Sequence, residues 1–212
     1  MKADFVPGKH ARCDPIGLDS ADSRDPRPRP PALAGRPLRR SRPLGYNPSG
    51  MTDSAAPLPV RSLFLPDEAA TERLGARLAA ALAPRDLVAL SGDLGTGKTC
   101  LARAVIAGLM GGPEEVPSPT FTLVQTYETP RGPLWHFDLY RLSAPDEVWE
   151  LGFEEALAEG ISLIEWPERL GRLLPAVRLD LGLRFAAEPG ARHADLVGHG
   201  AAWAGRLDRI AA

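Results

Sequence analysis

Leu87-Val88-Ala89-Leu90-Ser91-Gly92-Asp93-Leu94-Gly95-Thr96-Gly97-Lys98-Thr99 is the stretch whose reading decides the fold. A short apolar run suited to a buried strand leads into two glycines with four residues between them, then Lys and Thr, the pattern of a phosphate-binding loop. Glycines let successive backbone N–H groups turn inward and approach phosphate oxygens where a Cβ would collide. Lys98 then reaches the β- and γ-phosphates, and the Thr99 hydroxyl can ligate the Mg²⁺ that travels with them. Residues 99–110 read as a helix stopped by Gly111-Gly112, with its positive N-terminal end toward the phosphates. Gly92, Asp93, Leu94, Gly95, Thr96, Gly97, Lys98 and Thr99 thus form the expected binding set, for a nucleoside triphosphate with Mg²⁺.

Around this motif the chain divides by composition. Residues 1–50 hold 9 of the 22 prolines and 10 basic against 5 acidic residues, which leaves 15 basic and 22 acidic for the rest. The Arg/Pro-rich part, 24–43, lacks apolar periodicity and cannot bury enough surface to offset the ordering of its backbone. It reads as a disordered extension, as a basic RNA-binding arm, or as untranslated sequence upstream of a start at Met51; the unfolded readings are favoured. The acidic body argues against a broad electrostatic grip on nucleic acid. Cys13 and Cys100 give no disulfide framework, which suits a reducing cytoplasm. No segment resembles a signal peptide or approaches the ~20 apolar residues of a bilayer span, so no membrane partner is expected.

The body, 58–212, reads as one α/β domain. Pro66-Asp67-Glu68 opens an amphipathic helix carrying Leu74, Leu78 and Leu82 and ending near Pro84. Strands are expected at 87–91, 122–129 and 134–142, the last two joined by a turn too short for anything but antiparallel pairing. A helix is expected over 145–158 and a buried strand at 161–164. Alternating residues mark a half-buried strand over 177–185, and a strand at 194–198 and a short helix from Ala201 close the domain. The sum is a phosphate-loop type of α/β fold, a mixed parallel and antiparallel sheet flanked by helices.

A phosphate loop binds; other groups must hold metal and position water. Glu165 follows the run 161–164, the placement of an acid that holds Mg²⁺ directly or through water, and Asp138 lies in the apolar and aromatic run 136–142. Either can instead be an acid at a strand edge, solvated or paired with a neighbour such as Arg141. Ser118-Pro119-Thr120-Phe121-Thr122 is a plain turn or a switch-like loop whose hydroxyls reach a γ-phosphate. His136 reads as a strand-packing histidine rather than a proton carrier. Trp166 suits base stacking or the core, and Cys100 packs as a small apolar helix residue.

Taken in order, Ser91 to Thr99, Ser118-Pro119-Thr120-Phe121-Thr122-Leu123-Val124, His136-Phe137-Asp138-Leu139-Tyr140-Arg141-Leu142 and Ile164-Glu165-Trp166-Pro167-Glu168 resemble the TsaE (YjeE-type) family over about residues 60–200. These are bacterial phosphate-loop ATPases of tRNA threonylcarbamoyladenosine formation. The resemblance implies that Lys98 binds the phosphates of ATP, that Thr99 and Glu165 hold Mg²⁺, and that Asp138 acts close to the metal or the attacking water. It also implies that Thr122 belongs to a switch-like loop, that Trp166 lies beside the nucleotide, and that Thr71 and Arg192 match nucleotide-contacting positions. Cys100 stands in the binding helix where the family usually has a second Thr. The implied activity is an accessory ATP hydrolase, weak alone, acting on a TsaD-type transferase with its TsaB-type partner and through them on tRNA. A small-molecule kinase or a non-hydrolysing nucleotide-dependent scaffold would use the same loop.

Overall fold

The computed structural model describes residues 57–112 and 122–212. The extension 1–50, Met51 and Ser118 to Phe121 of the expected switch-like loop lie outside them. Seven strands form one sheet: β1 (Arg61–Leu65), β2 (Leu87–Ser91), β3 (Val124–Thr129), β4 (Gly132–Asp138), β5 (Ile161–Glu165), β6 (Arg178–Phe185) and β7 (Arg192–His199). Their spatial order is β1-β7-β6-β2-β5-β4-β3. The inner strands β6, β2, β5 and β4 run parallel, and β7, β1 and β3 join antiparallel at the two margins. This is the mixed sheet the sequence predicts.

The continuous apolar run of β2 has a simple cause, because both faces of the central sheet are covered. Val88 and Leu90 enter a core shared with helices α1 (Glu68–Ala81) and α2 (Lys98–Met110), while Leu87 and Ala89 enter a second core with Phe137, Phe153 and Leu170. Farther out, β6 buries Leu179, Leu181 and Leu183 and leaves Asp180 and Gly182 half-buried and Arg184 exposed, so its alternation is plain. Asp67 caps α1 by accepting the Ala70 N–H at 2.7 Å. At its other end the Arg131 guanidinium, from the β3–β4 turn, donates to the carbonyls of Ala79, Ala80 and Leu82, a cation at a helix C-terminus. The two helices approach closely because Gly75 faces Ala104: a Cβ on Gly75 would lie 2.4 Å from that methyl.

The structure departs from the sequence reading in four places. Strand β1 was not expected; Leu63 and Leu65 turn inward while Phe64 is half-exposed, so apolar residues on both faces hide the alternation. Strand β4 stops at Asp138 rather than continuing to 142, because Leu139 N–H turns to the Glu165 carbonyl and Leu142 N–H closes a turn on Leu139. The helix expected over 145–158 is two pieces, a 3₁₀ helix Pro145–Leu151 and α3 (Phe153–Glu159), divided at Gly152 with φ 78°. The closing helix is likewise divided, into a 3₁₀ turn Ala201–Trp203 and α4 (Arg206–Ala211). Among the described residues no helix is long and apolar enough to cross a membrane.

What the fold positions is the C-terminal edge of three neighbouring parallel strands. β2 leads into the glycine loop, and β4 and β5 end in register on Asp138 and Glu165. In open α/β sheets this edge is where ligands bind.

Candidate active site

The loop between β2 and α2 takes its shape from three glycines in left-handed conformations, Gly92 (φ 133°), Gly95 (φ 80°) and Gly97 (φ 103°). Gly92 also faces a wall: a Cβ there would lie 2.2 Å from the Leu183 carbonyl oxygen. Thr96 closes the loop on itself, its hydroxyl donating to the Asp93 carbonyl at 2.8 Å. Outside the loop, Arg192 of β7 donates from Nε to the Thr96 carbonyl at 3.0 Å and from Nη2 to that of Gly95 at 3.4 Å. Its guanidinium also lies 4.7 Å from the Phe185 ring centroid. Carbonyls are therefore held on the outer side by a fixed fork. At the inner side α2 begins at Gly97 with no side-chain cap, so its first N–H groups keep the anion-binding capacity of a helix N-terminus.

Lys98, the first residue of α2, folds back into the loop and is buried. Its Nζ donates to the carbonyls of Gly92 (2.7 Å) and Asp93 (2.9 Å) and lies 3.9 Å from the centroid of the Trp166 ring. Burial pushes its pKa below the ordinary lysine value, opposed by the negative charges of Glu165, Glu168, Asp138 and Asp93. Trp166 reaches this position by following β5 with φ 61°, a left-handed backbone unusual for a bulky residue, while its N–H is held by the Leu90 carbonyl at 3.2 Å. Tyr140 packs on its ring at a centroid distance of 4.9 Å.

At the next residue of α2, Thr99 Oγ1 donates to Glu165 Oε2 at 2.9 Å. The other carboxylate oxygen, Oε1, is 2.9 Å from His136 Nε2, and both residues are buried. Asp138, 6 % exposed, stands beside Glu165 in register. Its own N–H is held by the Leu123 carbonyl at 2.9 Å, and its Oδ1 accepts from Tyr140 N–H at 3.2 Å.

The structure thus brings Lys98, Thr99, Asp138, Glu165 and Trp166 to one edge of the sheet. Thr122 is exposed and adjoins Leu123, the residue that holds the Asp138 backbone. Thr71 is buried within α1, its hydroxyl 3.5 Å from the Asp67 carbonyl. The start of α1 meets α2 through Cys100, whose thiol is 3.4 Å from Glu68 Oε1. Arg192 acts on the loop backbone from outside. Two residues escaped the sequence reading as site members. Tyr140 backs Trp166, and His136, buried in β4 as a packing residue is, also bonds Glu165, since parallel pairing of β4 with β5 sets it on the face that carries Glu165.

The chain is similar to known proteins in sequence and fold. The sequence model described as "Threonylcarbamoyl adenosine biosynthesis protein TsaE" matches residues 65–193. Relatives bearing the name "tRNA threonylcarbamoyladenosine biosynthesis protein TsaE" include one from Rickettsia felis, 44% identical over 126 residues that cover 59% of this chain and 74% of the relative. Another, from Haemophilus influenzae, is 35% identical over 140 residues that cover 63% and 87%. The crystal structure of Bacillus subtilus YdiB superposes with a TM-score of 0.57 at 27% identity, covering 72% of this chain and 94% of that one. With a family match across more than half of its length and relatives aligned over most of theirs, the chain belongs to the TsaE family.

Proposed function

We propose that this protein is the Mg²⁺-dependent ATPase of tRNA threonylcarbamoyladenosine formation, acting in the cytoplasm on a complex of TsaD-type transferase and TsaB-type partner. The observation that carries the reading is the 2.9 Å contact between Thr99 Oγ1 and Glu165 Oε2 at the mouth of the glycine loop. Both are hard oxygen donors of the kind Mg²⁺ selects, and they would together hold the ion, directly or through water. Among the described residues no group of three or more His, Cys, Asp or Glu could hold a metal ion alone. Mg²⁺ itself commonly takes one or two protein oxygens and completes its shell with phosphate and water.

The work then divides by residue. Amides of the loop and of the α2 N-terminus bind the phosphates, and Lys98 exchanges its carbonyl partners for phosphate oxygens. Thr99 and Glu165 hold Mg²⁺, which when bound neutralises charge developing on the transferred phosphoryl group. Asp138, fixed by its bonds to Leu123 and Tyr140, orients the attacking water. Thr122 serves on the γ-phosphate side of the site, as the family resemblance implies, and Trp166 flanks the nucleotide while holding the Lys98 ammonium. The relatives' printed names support the tRNA pathway. The test is ATP hydrolysis by the purified protein with and without the transferase complex and tRNA. Stimulation by the complex supports the reading; phosphorylation of a small molecule in its place overturns it.

A further inference from the structure

We propose that His136 is a positioning residue for Glu165: it anchors one carboxylate oxygen so that the other remains turned to Thr99 and the metal. The inference rests on the ATPase reading above. Both oxygens of Glu165 are engaged in opposite directions, Oε1 by His136 Nε2 and Oε2 by Thr99 Oγ1, each at 2.9 Å. An ionised carboxylate only accepts, so His136 Nε2 carries the hydrogen and donates it. The ring is 0 % exposed, in a strand whose neighbours Trp135 and Phe137 pack into the apolar core on the other face.

This position is an unfavourable one for a histidine that does nothing but pack. Its Nδ1 is buried with no hydrogen-bond partner among the described residues, a penalty that Leu or Phe would avoid. The compensating contact is the bond to Glu165. The bond also has a competitor to exclude. Glu165 contributes the largest of the favourable charge interactions on Lys98, so a carboxylate released from His136 is free to rotate toward that ammonium. Pairing there would take the acid from the metal and the lysine from the phosphates. His136 itself is not a metal ligand in this scheme, because its inward nitrogen is occupied and Mg²⁺ selects oxygen.

The experiment measures affinity of the full chain for the non-hydrolysable ATP analogue AMPPNP by calorimetry, in EDTA and in excess Mg²⁺. The ratio of the two affinities reports the metal contribution. If wild type shows no Mg²⁺ enhancement, the ATPase reading itself fails. Given an enhancement, H136L and H136N lower the ratio about tenfold, the lower end of what loss of a ligand-orienting partner does, and leave the EDTA affinity unchanged. H136Q, whose side-chain amide can donate from the place of Nε2, restores the ratio. Should H136L fail to fold by thermal melting, the H136N and H136Q pair carries the comparison. A wild-type ratio in H136L and H136N, an equal loss with and without Mg²⁺, or H136Q no better than H136N overturns the proposal.

Discussion

The Lys98 ammonium lies 3.9 Å from the centroid of the Trp166 ring while donating to the Gly92 and Asp93 carbonyls. The cation proposed to bind phosphate is thus held from two sides, by the carbonyls of its own loop and by the residue that follows β5. Trp166 holds a left-handed backbone at φ 61° to be there, a conformation that costs about 1–2 kcal/mol for a residue with a Cβ. The strain sits beside the site, where the ring that packs on the second core also meets the lysine.

Removing the ring should therefore weaken nucleotide binding more than it weakens the fold. A cation–π contact of this kind is worth about 0.5–2 kcal/mol, so Trp166→Ala should lose about three- to thirtyfold in ATP affinity. Trp166→Phe should fall between. Calorimetric titration with ATP measures both.

The loop glycines should separate into two kinds. Gly92→Ala sets a Cβ 2.2 Å from the Leu183 carbonyl oxygen, where backbone must shift, and adds left-handed strain. Gly97→Ala meets nothing within 4 Å among the described residues and adds the strain alone. Thermal or urea unfolding should show a loss of about 1–2 kcal/mol for Gly97→Ala and about 2–5 kcal/mol for Gly92→Ala.

Arg192 should prove to be a brace for the loop. Its fork spans the Thr96 and Gly95 carbonyls, a geometry that Lys cannot reproduce. Arg192→Lys and Arg192→Ala should both lose about tenfold in ATP affinity, equivalent to ~1.4 kcal/mol, with melting temperatures near wild type. An Arg192→Lys protein that binds as wild type would reduce the role of Arg192 to its charge.

Acid stability should trace in part to Asp195. Hydrogen bonds from Arg184 and Ser62 hold its carboxyl below the usual aspartate value, and the three residues tie β6, β7 and β1 together. A depressed acid stabilises the fold above its unfolded pKa and loses that contribution as pH falls through the folded one. The gap between wild type and Asp195→Asn should stay level above the ordinary aspartate pKa, 3.8, and close below it. For a pair this accessible the gap is at most about 1 kcal/mol. Denaturant melts across the acid range measure it.

The parts of the site legible in the sequence were those coded by contiguous residues. Gly92 to Thr99 announces its shape because backbone conformation demands glycine there, and Glu165 announces its place because β5 is apolar but for Ser162 up to it. Contacts made across the sheet were not legible. The bond from His136 to Glu165 exists because β4 and β5 pair in parallel, and the grip of Arg192 exists because β7 returns beside the loop; neither pairing leaves a local pattern. Local exceptions had the same effect on the fold. Gly152 divides a helix whose flanks both suit helix, and the half-exposed Phe64 masks the alternation of β1.

The central claim is that Glu165 holds Mg²⁺ with Thr99 for ATP hydrolysis. Its most direct test is steady-state ATP hydrolysis by Glu165→Gln in saturating Mg²⁺, with the transferase complex present, alongside ATP binding in EDTA. Loss of the carboxylate charge should lower kcat by about a hundredfold or more, ~2.7 kcal/mol of lost transition-state stabilisation, while metal-free ATP affinity stays at the wild-type value. Hydrolysis by Glu165→Gln at the wild-type rate would contradict the account.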